Sequence, residues 1–163
     1  MSIAITGATG GLGRRVVEVL LERGVAAGDV VACGRNPQQL AELAALGVRA
    51  TAIDYDRPET LAAAFDGVEQ VLLVSGNVPG ARVAQHSNVI DAARAAGVAR
   101  ILYTSILRAD TTTNVLAPDH VATEALIRDS GLTATILRNG WYADGYAGQV
   151  RDAIRDGALS AAA

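Results

Sequence analysis

The sequence predicts an α/β fold, a doubly wound parallel sheet covered by helices on both faces in three αβα layers. Three observations carry this expectation. Short Val/Ile/Leu-rich runs alternate with helical patterns along the 163 residues, as repeated βαβ units require. The runs are nearly continuous in apolar residues, as strands buried on both faces are. Prolines open several helical stretches and glycines close them, each at the end where it is tolerated.

The first strand is expected at Ile3–Thr6 and the first helix at Gly11–Arg23. Between them lies Gly7-Ala8-Thr9-Gly10-Gly11-Leu12-Gly13. A glycine pattern after a strand and at the start of a helix marks a dinucleotide site. Glycines permit the tight turn, the close approach of a pyrophosphate and the packing of helix on strand. The helix N-terminus adds free N–H groups and a positive dipole end. The fold is therefore expected to be Rossmann-type, with Gly7, Thr9, Gly10, Gly11, Leu12 and Gly13 at the cofactor.

The second strand is expected at Val30–Cys33 and a helix at Pro37–Leu46. NAD-preferring sites place an acid at the end of this strand for the ribose 2′-hydroxyl. Here Cys33-Gly34-Arg35-Asn36 stands instead. Gly34 leaves room, and the planar guanidinium of Arg35 suits a 2′-phosphate. The cofactor reading is thus NADP(H). A third strand at Ala50–Ile53 leads to Asp54-Tyr55-Asp56 and a helix at Pro58–Phe65. Asp54 can meet the adenine or cap that helix, a task that also suits Asp56. Tyr55 borders the same cleft.

A fourth strand at Val71–Val74 ends in Ser75-Gly76-Asn77, ahead of a helix at Ala81–Ala96. Ligands of open α/β sheets lie at the carboxyl ends of the strands, so this turn is expected along the ribose and pyrophosphate. The fifth strand, Ile101–Thr104, brings Tyr103, Thr104 and Ser105 to the same rim. A helix at Pro118–Ser130 and a sixth strand at Ala134–Leu137 follow. Arg138-Asn139-Gly140-Trp141-Tyr142 then places polar and aromatic groups where a nicotinamide would lie. Trp141 reads as packing or as stacking. Right-handed crossovers give the strand order 3-2-1-4-5-6. Residues 1–142 are expected to form the NAD(P)-binding domain. Residues 143–163 are expected to begin a C-terminal substrate region that is cut short at Ser160–Ala163.

Composition excludes several chemistries. Net charge is −3, which leaves no basic footprint for nucleic acid. All 14 basic residues are arginine, so no mechanism here uses a lysine ammonium or Schiff base. The single cysteine, Cys33, has no disulfide partner in the chain and reads as a small buried side chain. Two separated histidines and one cysteine make no metal site. No apolar run approaches the roughly 18 residues of a membrane span. The strand at the N-terminus leaves no room for a signal peptide, and a cytoplasmic location is the default.

Taken together, Gly7–Gly13, Gly34-Arg35-Asn36-Pro37, Ala52-Ile53-Asp54-Tyr55, Gln85-His86-Ser87-Asn88-Val89-Ile90, Tyr103-Thr104-Ser105 and Leu137-Arg138-Asn139-Gly140-Trp141-Tyr142 resemble the NmrA-like atypical short-chain dehydrogenases. Within them the chain looks most like the type 2 NAD(P)H:quinone oxidoreductases. The resemblance covers essentially the whole chain. It implies NADPH binding, reduction of a small-molecule quinone, and a further C-terminal substrate region. It leaves the oligomeric state open, a homodimer included.

Typical short-chain dehydrogenases carry a Tyr-x-x-x-Lys pair on the helix after the fifth strand. Glu124 fixes the register, which puts His120 at the lysine position and Leu116 at the tyrosine position. The pair is absent, which disfavours an alcohol dehydrogenase, because that chemistry moves a proton with the hydride. A quinone is already electrophilic and needs mainly orientation. His120, Asn139 and Tyr142 are then the catalytic candidates. His120 holds a nicotinamide ribose or a proton, or is a plain helix-start histidine. Asn139 and Tyr142 orient carboxamide or quinone, and Asn139 also belongs to the cofactor set. His86 is expected to face the neighbouring loop. The alternative function is a non-catalytic NADP(H)-binding redox sensor.

Overall fold

In the computed structural model, which describes residues 1–78 and 80–158, six strands alternate with helices. They are β1 (Ile3–Ile5), α1 (Gly11–Glu22), β2 (Val30–Gly34), α2 (Pro37–Ala44), β3 (Arg49–Ala52), α3 (Glu59–Phe65), β4 (Gln70–Leu73), α4 (Arg82–Ala95), β5 (Arg100–Ile106), α5 (Ala117–Asp129), β6 (Thr133–Asn139) and α6 (Ala147–Asp156). The strands form one sheet in the order β3-β2-β1-β4-β5-β6, and every pairing is parallel. The order reverses between β1 and β4, where open α/β sheets open a crevice at their carboxyl edge.

Local chemistry explains the boundaries. Asn36 caps α2, its Oδ1 accepting from the N–H groups of Gln38 and Gln39, and Pro37 fills the next position without wasting a donor. Gly24 closes α1 at φ 84° and Gly97 closes α4 at φ 71°, a left-handed conformation that costs other residues more. Pro58 sits at the N-cap of α3 and not in its first turn, so α3 begins one residue later than the sequence suggests.

Two apolar layers hold the helices on the sheet. Ile5, Val17, Ala32, Leu43 and Leu72 pack together under α1 and α2. Phe65, Leu73, Val89, Ile101 and Ile127 pack together under α3, α4 and α5. Cover is uneven at β6. Its Leu137, on the α1 side, stays exposed beside Trp141. β5 and β6 are also longer than their apolar runs, because their polar ends pair: Ser105 lies opposite Arg138 and Ile106 opposite Asn139. Beyond β6 a short 3₁₀ turn, Ala143–Tyr146, leads into α6. The stretch Ser160–Ala163 lies outside the described residues. No helix among the described residues is long and apolar enough to cross a membrane.

Candidate functional site

The glycine turn is anchored to β2. The Ala8 N–H donates to the Cys33 carbonyl at 2.8 Å and the Gly10 N–H to that of Gly7 at 2.9 Å. A Cβ on Gly13 would lie 2.3 Å from the Gly7 carbonyl oxygen, and a Cβ on Gly34 2.6 Å from the Thr9 side chain. Both close approaches need glycine. They set the start of α1 tightly against β1 and the turn tightly against the end of β2. Gly10 offers no side chain to cap α1. The N–H groups of the first turn therefore remain open toward an anion.

A cleft of about 310 Å³ runs along this edge. Gly7, Thr9 and Gly10 form one wall, with Gly34 and Arg35 at one end. Asp54, Tyr55, Ser75, Gly76 and Asn77 complete the lining among the expected residues. Arg35 is exposed and, unlike Arg14, Arg82 or Arg138, pairs with no carboxylate among the described residues. Asp54 Oδ1 accepts from the Asp56 N–H at 3.1 Å. Neither Asp54 nor Asp56 caps α3, and the Thr60 hydroxyl serves that loop by accepting the Asp54 N–H at 2.9 Å. The Tyr55 hydroxyl donates to the Val74 carbonyl at 2.9 Å and also meets Thr6. Burial pushes its phenol far up, so it stays protonated.

Sequence reasoning missed the support of the β4 turn. The N–H of Gly76 donates to His86 Nε2 at 2.9 Å, and its carbonyl accepts from Arg82 Nε at 2.7 Å. His86 does face the neighbouring loop, as expected. Burial, aided by the nearby charges of Arg82 and His120, pulls its pKa down to about 3. Arg82 carried no signal beyond its place at the start of α4. The Ser75 N–H donates to Thr104 Oγ1 at 2.8 Å, which ties the turn to β5.

Thr104 faces a second cleft, of about 460 Å³, together with Leu12, Leu137, Asn139, Trp141 and Tyr142. Asn139 Nδ2 donates to the Tyr142 hydroxyl at 2.8 Å, so two of the three catalytic candidates touch. Trp141 stands in the lining largely exposed. Behind this segment, Arg138 grips Glu124 through two bonds of 3.0 and 2.8 Å. Ser105 and Arg128 each donate to Glu124 at 2.7 Å. These donors, Arg138 first, hold the buried Glu124 carboxyl down at about 2.

Several expected contacts are corrected by strand parity. Tyr103 and Ser105 point to the α4–α5 side of β5, away from both clefts. Tyr103 is fully buried, its hydroxyl 2.6 Å from His120 Nδ1, and burial pushes its phenol up to about 12. Ser105 serves Glu124. His120 is buried at 3% exposure and lines neither cleft. Leu12 belongs to the second cleft and not the first, Gly13 is packing against Gly7, and Gly11 opens α1. No cluster of potential metal ligands occurs among the described residues.

Residues 7–161 match the NAD(P)H-binding family. The chain belongs to this NAD(P)H-binding, NmrA-like family. Among family relatives, quinone oxidoreductase 2 of Escherichia coli (strain K12) is 47% identical over 161 residues, covering 99% of this chain and 56% of that protein. The NmrA-like family domain-containing oxidoreductase flvB of Aspergillus flavus is 36% identical, over 90% of this chain and 50% of its own. The crystal structure of NADPH-dependent quinone oxidoreductase QOR2 from Escherichia coli, complexed with NADPH, superposes with a TM-score of 0.88 at 47% identity, over 95% of this chain and 54% of that one. The triphenylmethane reductase of Citrobacter sp., complexed with NADP(H), also gives 0.88, at 39% identity over 96% and 55%. The chain spans about half the length of these family members.

Proposed function

We propose that this chain binds NADPH along the first cleft and holds its nicotinamide for direct hydride transfer to a quinone, without flavin. The observation that carries the cofactor choice is Arg35, an exposed guanidinium on the cleft that pairs with no carboxylate among the described residues. Its fork suits a 2′-phosphate. The open N–H groups at the start of α1 receive the pyrophosphate, and the close approaches at Gly13 and Gly34 leave the room it needs. Asp54 faces the adenine end. Ser75, Gly76 and Asn77 follow the ribose and phosphates, and Thr104 and Asn139 continue toward the nicotinamide. When bound, the reduced cofactor supplies the hydride.

Asn139 and Tyr142, bonded to each other, orient the carboxamide and the acceptor ring in the second cleft. Reduction by hydride leaves a hydroquinone anion, which takes its proton from water. His120, held behind β5 by Tyr103, lies out of direct reach of that proton. The names of the Escherichia coli relatives support NADPH as the cofactor and a quinone as the acceptor. The absence of the Tyr-x-x-x-Lys pair fits this reading and equally a second one, an NADP(H)-binding sensor without turnover.

NADPH absorbance followed with 1,4-benzoquinone, on the chain extended to the length of its relatives, separates the two. Turnover that Gly10→Asp abolishes supports the reductase, whereas binding without turnover supports the sensor. Arg35→Ala should raise the Kd for NADPH about tenfold while leaving NADH nearly unchanged, as loss of one charge-assisted pair implies. Equal effects on both cofactors would remove the 2′-phosphate assignment.

A further inference from the structure

Gly76 is gripped from below by two side chains of α4. Its N–H donates to His86 Nε2 and its carbonyl accepts from Arg82 Nε. Both side chains are buried. The surrounding bonds place every proton. A backbone N–H only donates, so His86 Nε2 carries no proton. The proton of the neutral ring is therefore on Nδ1, which donates to Thr123 Oγ1 at 2.9 Å. Thr123 passes its own hydrogen to the Asp119 carbonyl at 2.8 Å. Arg82 directs a further N–H to the Asp119 carboxylate at 2.8 Å. A second ring proton on His86 would face the Gly76 N–H donor to donor.

This grip decides what the turn shows to the cleft. The described peptides contain no cis bond, and in a trans peptide the C=O and N–H point opposite ways. Turning the Gly76 N–H toward His86 turns the Ser75 carbonyl the other way. Turning the Gly76 carbonyl toward Arg82 does the same for the Asn77 N–H. Ser75, Gly76 and Asn77 all line the first cleft. Neither the Ser75 carbonyl nor the Asn77 N–H has a partner among the described residues. The turn also lies close against α4: a Cβ on Gly76 would come 3.0 Å from Gln85 Oε1, and Gln85 is tied to Asp56 at 2.9 Å.

We infer that His86, as the Nδ1–H tautomer, and Arg82 are positioning residues that present the Ser75 carbonyl and the Asn77 N–H to the bound dinucleotide. An acceptor followed by a donor suits a ribose hydroxyl followed by a phosphate oxygen. Neither His86 nor Arg82 touches the ligand; they act through the two peptides of Gly76. The inference rests on reading the first cleft as the dinucleotide site.

Two measurements on this chain test it. A long-range ¹H–¹⁵N spectrum reads the His86 tautomer, with Nε2 expected to be unprotonated at neutral pH; a proton on Nε2 overturns the grip. NADPH fluorescence titration then compares the parent with His86→Gln and His86→Asn. A glutamine amide oxygen can take the place of Nε2, whereas asparagine reaches only the Nδ1 side. His86→Gln should bind within about threefold of the parent and His86→Asn about tenfold more weakly, the scale of one lost hydrogen bond. Circular dichroism confines the comparison to folded protein. Equal affinities for the two variants, or the opposite ranking, overturn the positioning role. A parent chain that binds no NADPH removes the dinucleotide reading instead, while the tautomer spectrum still stands as a test of the grip.

Discussion

Glu124 shows how much one side chain can organise. It is 1% exposed and takes four donor bonds from three side chains, on β5, α5 and β6. A buried carboxylate is stable only with such partners, and a buried ion pair is harder to break than to replace. Glu124→Gln keeps the shape but turns an NH₂ toward Arg138. We expect it to lower the unfolding free energy by about 2 kcal/mol, measured by urea denaturation at neutral pH. The carboxyl is held near 2 against an ordinary 4.5. Its contribution is therefore complete above about pH 4.5 and fades as pH falls toward 2. In the sequence Glu124 serves only as a register mark for His120. Its partner Arg138 lies on another element, and long-range pairing leaves no local trace. The same holds for Arg82, for which the sequence offers no partner although it is buried against the β4 turn, and for the bond that His86, expected to face this loop, makes to the Gly76 N–H.

At the scale of elements the sequence is far more legible, because the signals are local. Asn36-Pro37 announces α2, glycines close the helices, and the strand order follows from right-handed crossovers. Misjudged positions have a common cause. β5 and β6 extend past their apolar runs because Ser105 and Arg138 satisfy each other's surroundings through Glu124, and Tyr103 faces the core because strand parity, invisible in a short apolar run, turns it there. The first turn of α1 yields a sharp test. Alanine favours helix over glycine by about 1 kcal/mol, so a purely local argument has Gly13→Ala stabilising. The contact argument has the opposite sign, since the new Cβ would meet the Gly7 carbonyl oxygen at 2.3 Å and backbone cannot yield as a flexible side chain can. We expect Gly13→Ala to lower the melting temperature and to weaken NADPH binding by more than about tenfold. Gly24→Ala, at φ 84° with open space around it, should cost only about 1 kcal/mol and leave binding intact.

For the whole molecule, composition and burial combine into a pH profile. The chain has two histidines and no lysine, so its response between about pH 5 and 7 is carried chiefly by those two rings. Both are buried with their pKa values lowered, first by burial and then by the Arg82 charge. His86 is faced by Arg82 on its own helix, by Tyr55 and Tyr103 from the sheet edge, and by Thr123 and His120 from α5. None of these carries a negative charge that would favour the imidazolium. Unfolding returns His86 from about 3 to 6.5, so between those values the unfolded chain binds the extra proton and the folded one does not. Stability must then rise with pH across that window and level off above about 6.5. From pH 7.5 to 5.5 the loss from His86 alone is on the order of 1 kcal/mol, with His120 adding in the same direction. Urea denaturation at the two pH values measures the difference. His86→Gln has no such proton to bind and should show a smaller loss over the same interval, even where its stability at pH 7.5 is below the parent's. A profile equally steep in His86→Gln would mean that the ring is not held neutral in the fold, and with it would go the fixed tautomer that orients the β4 turn.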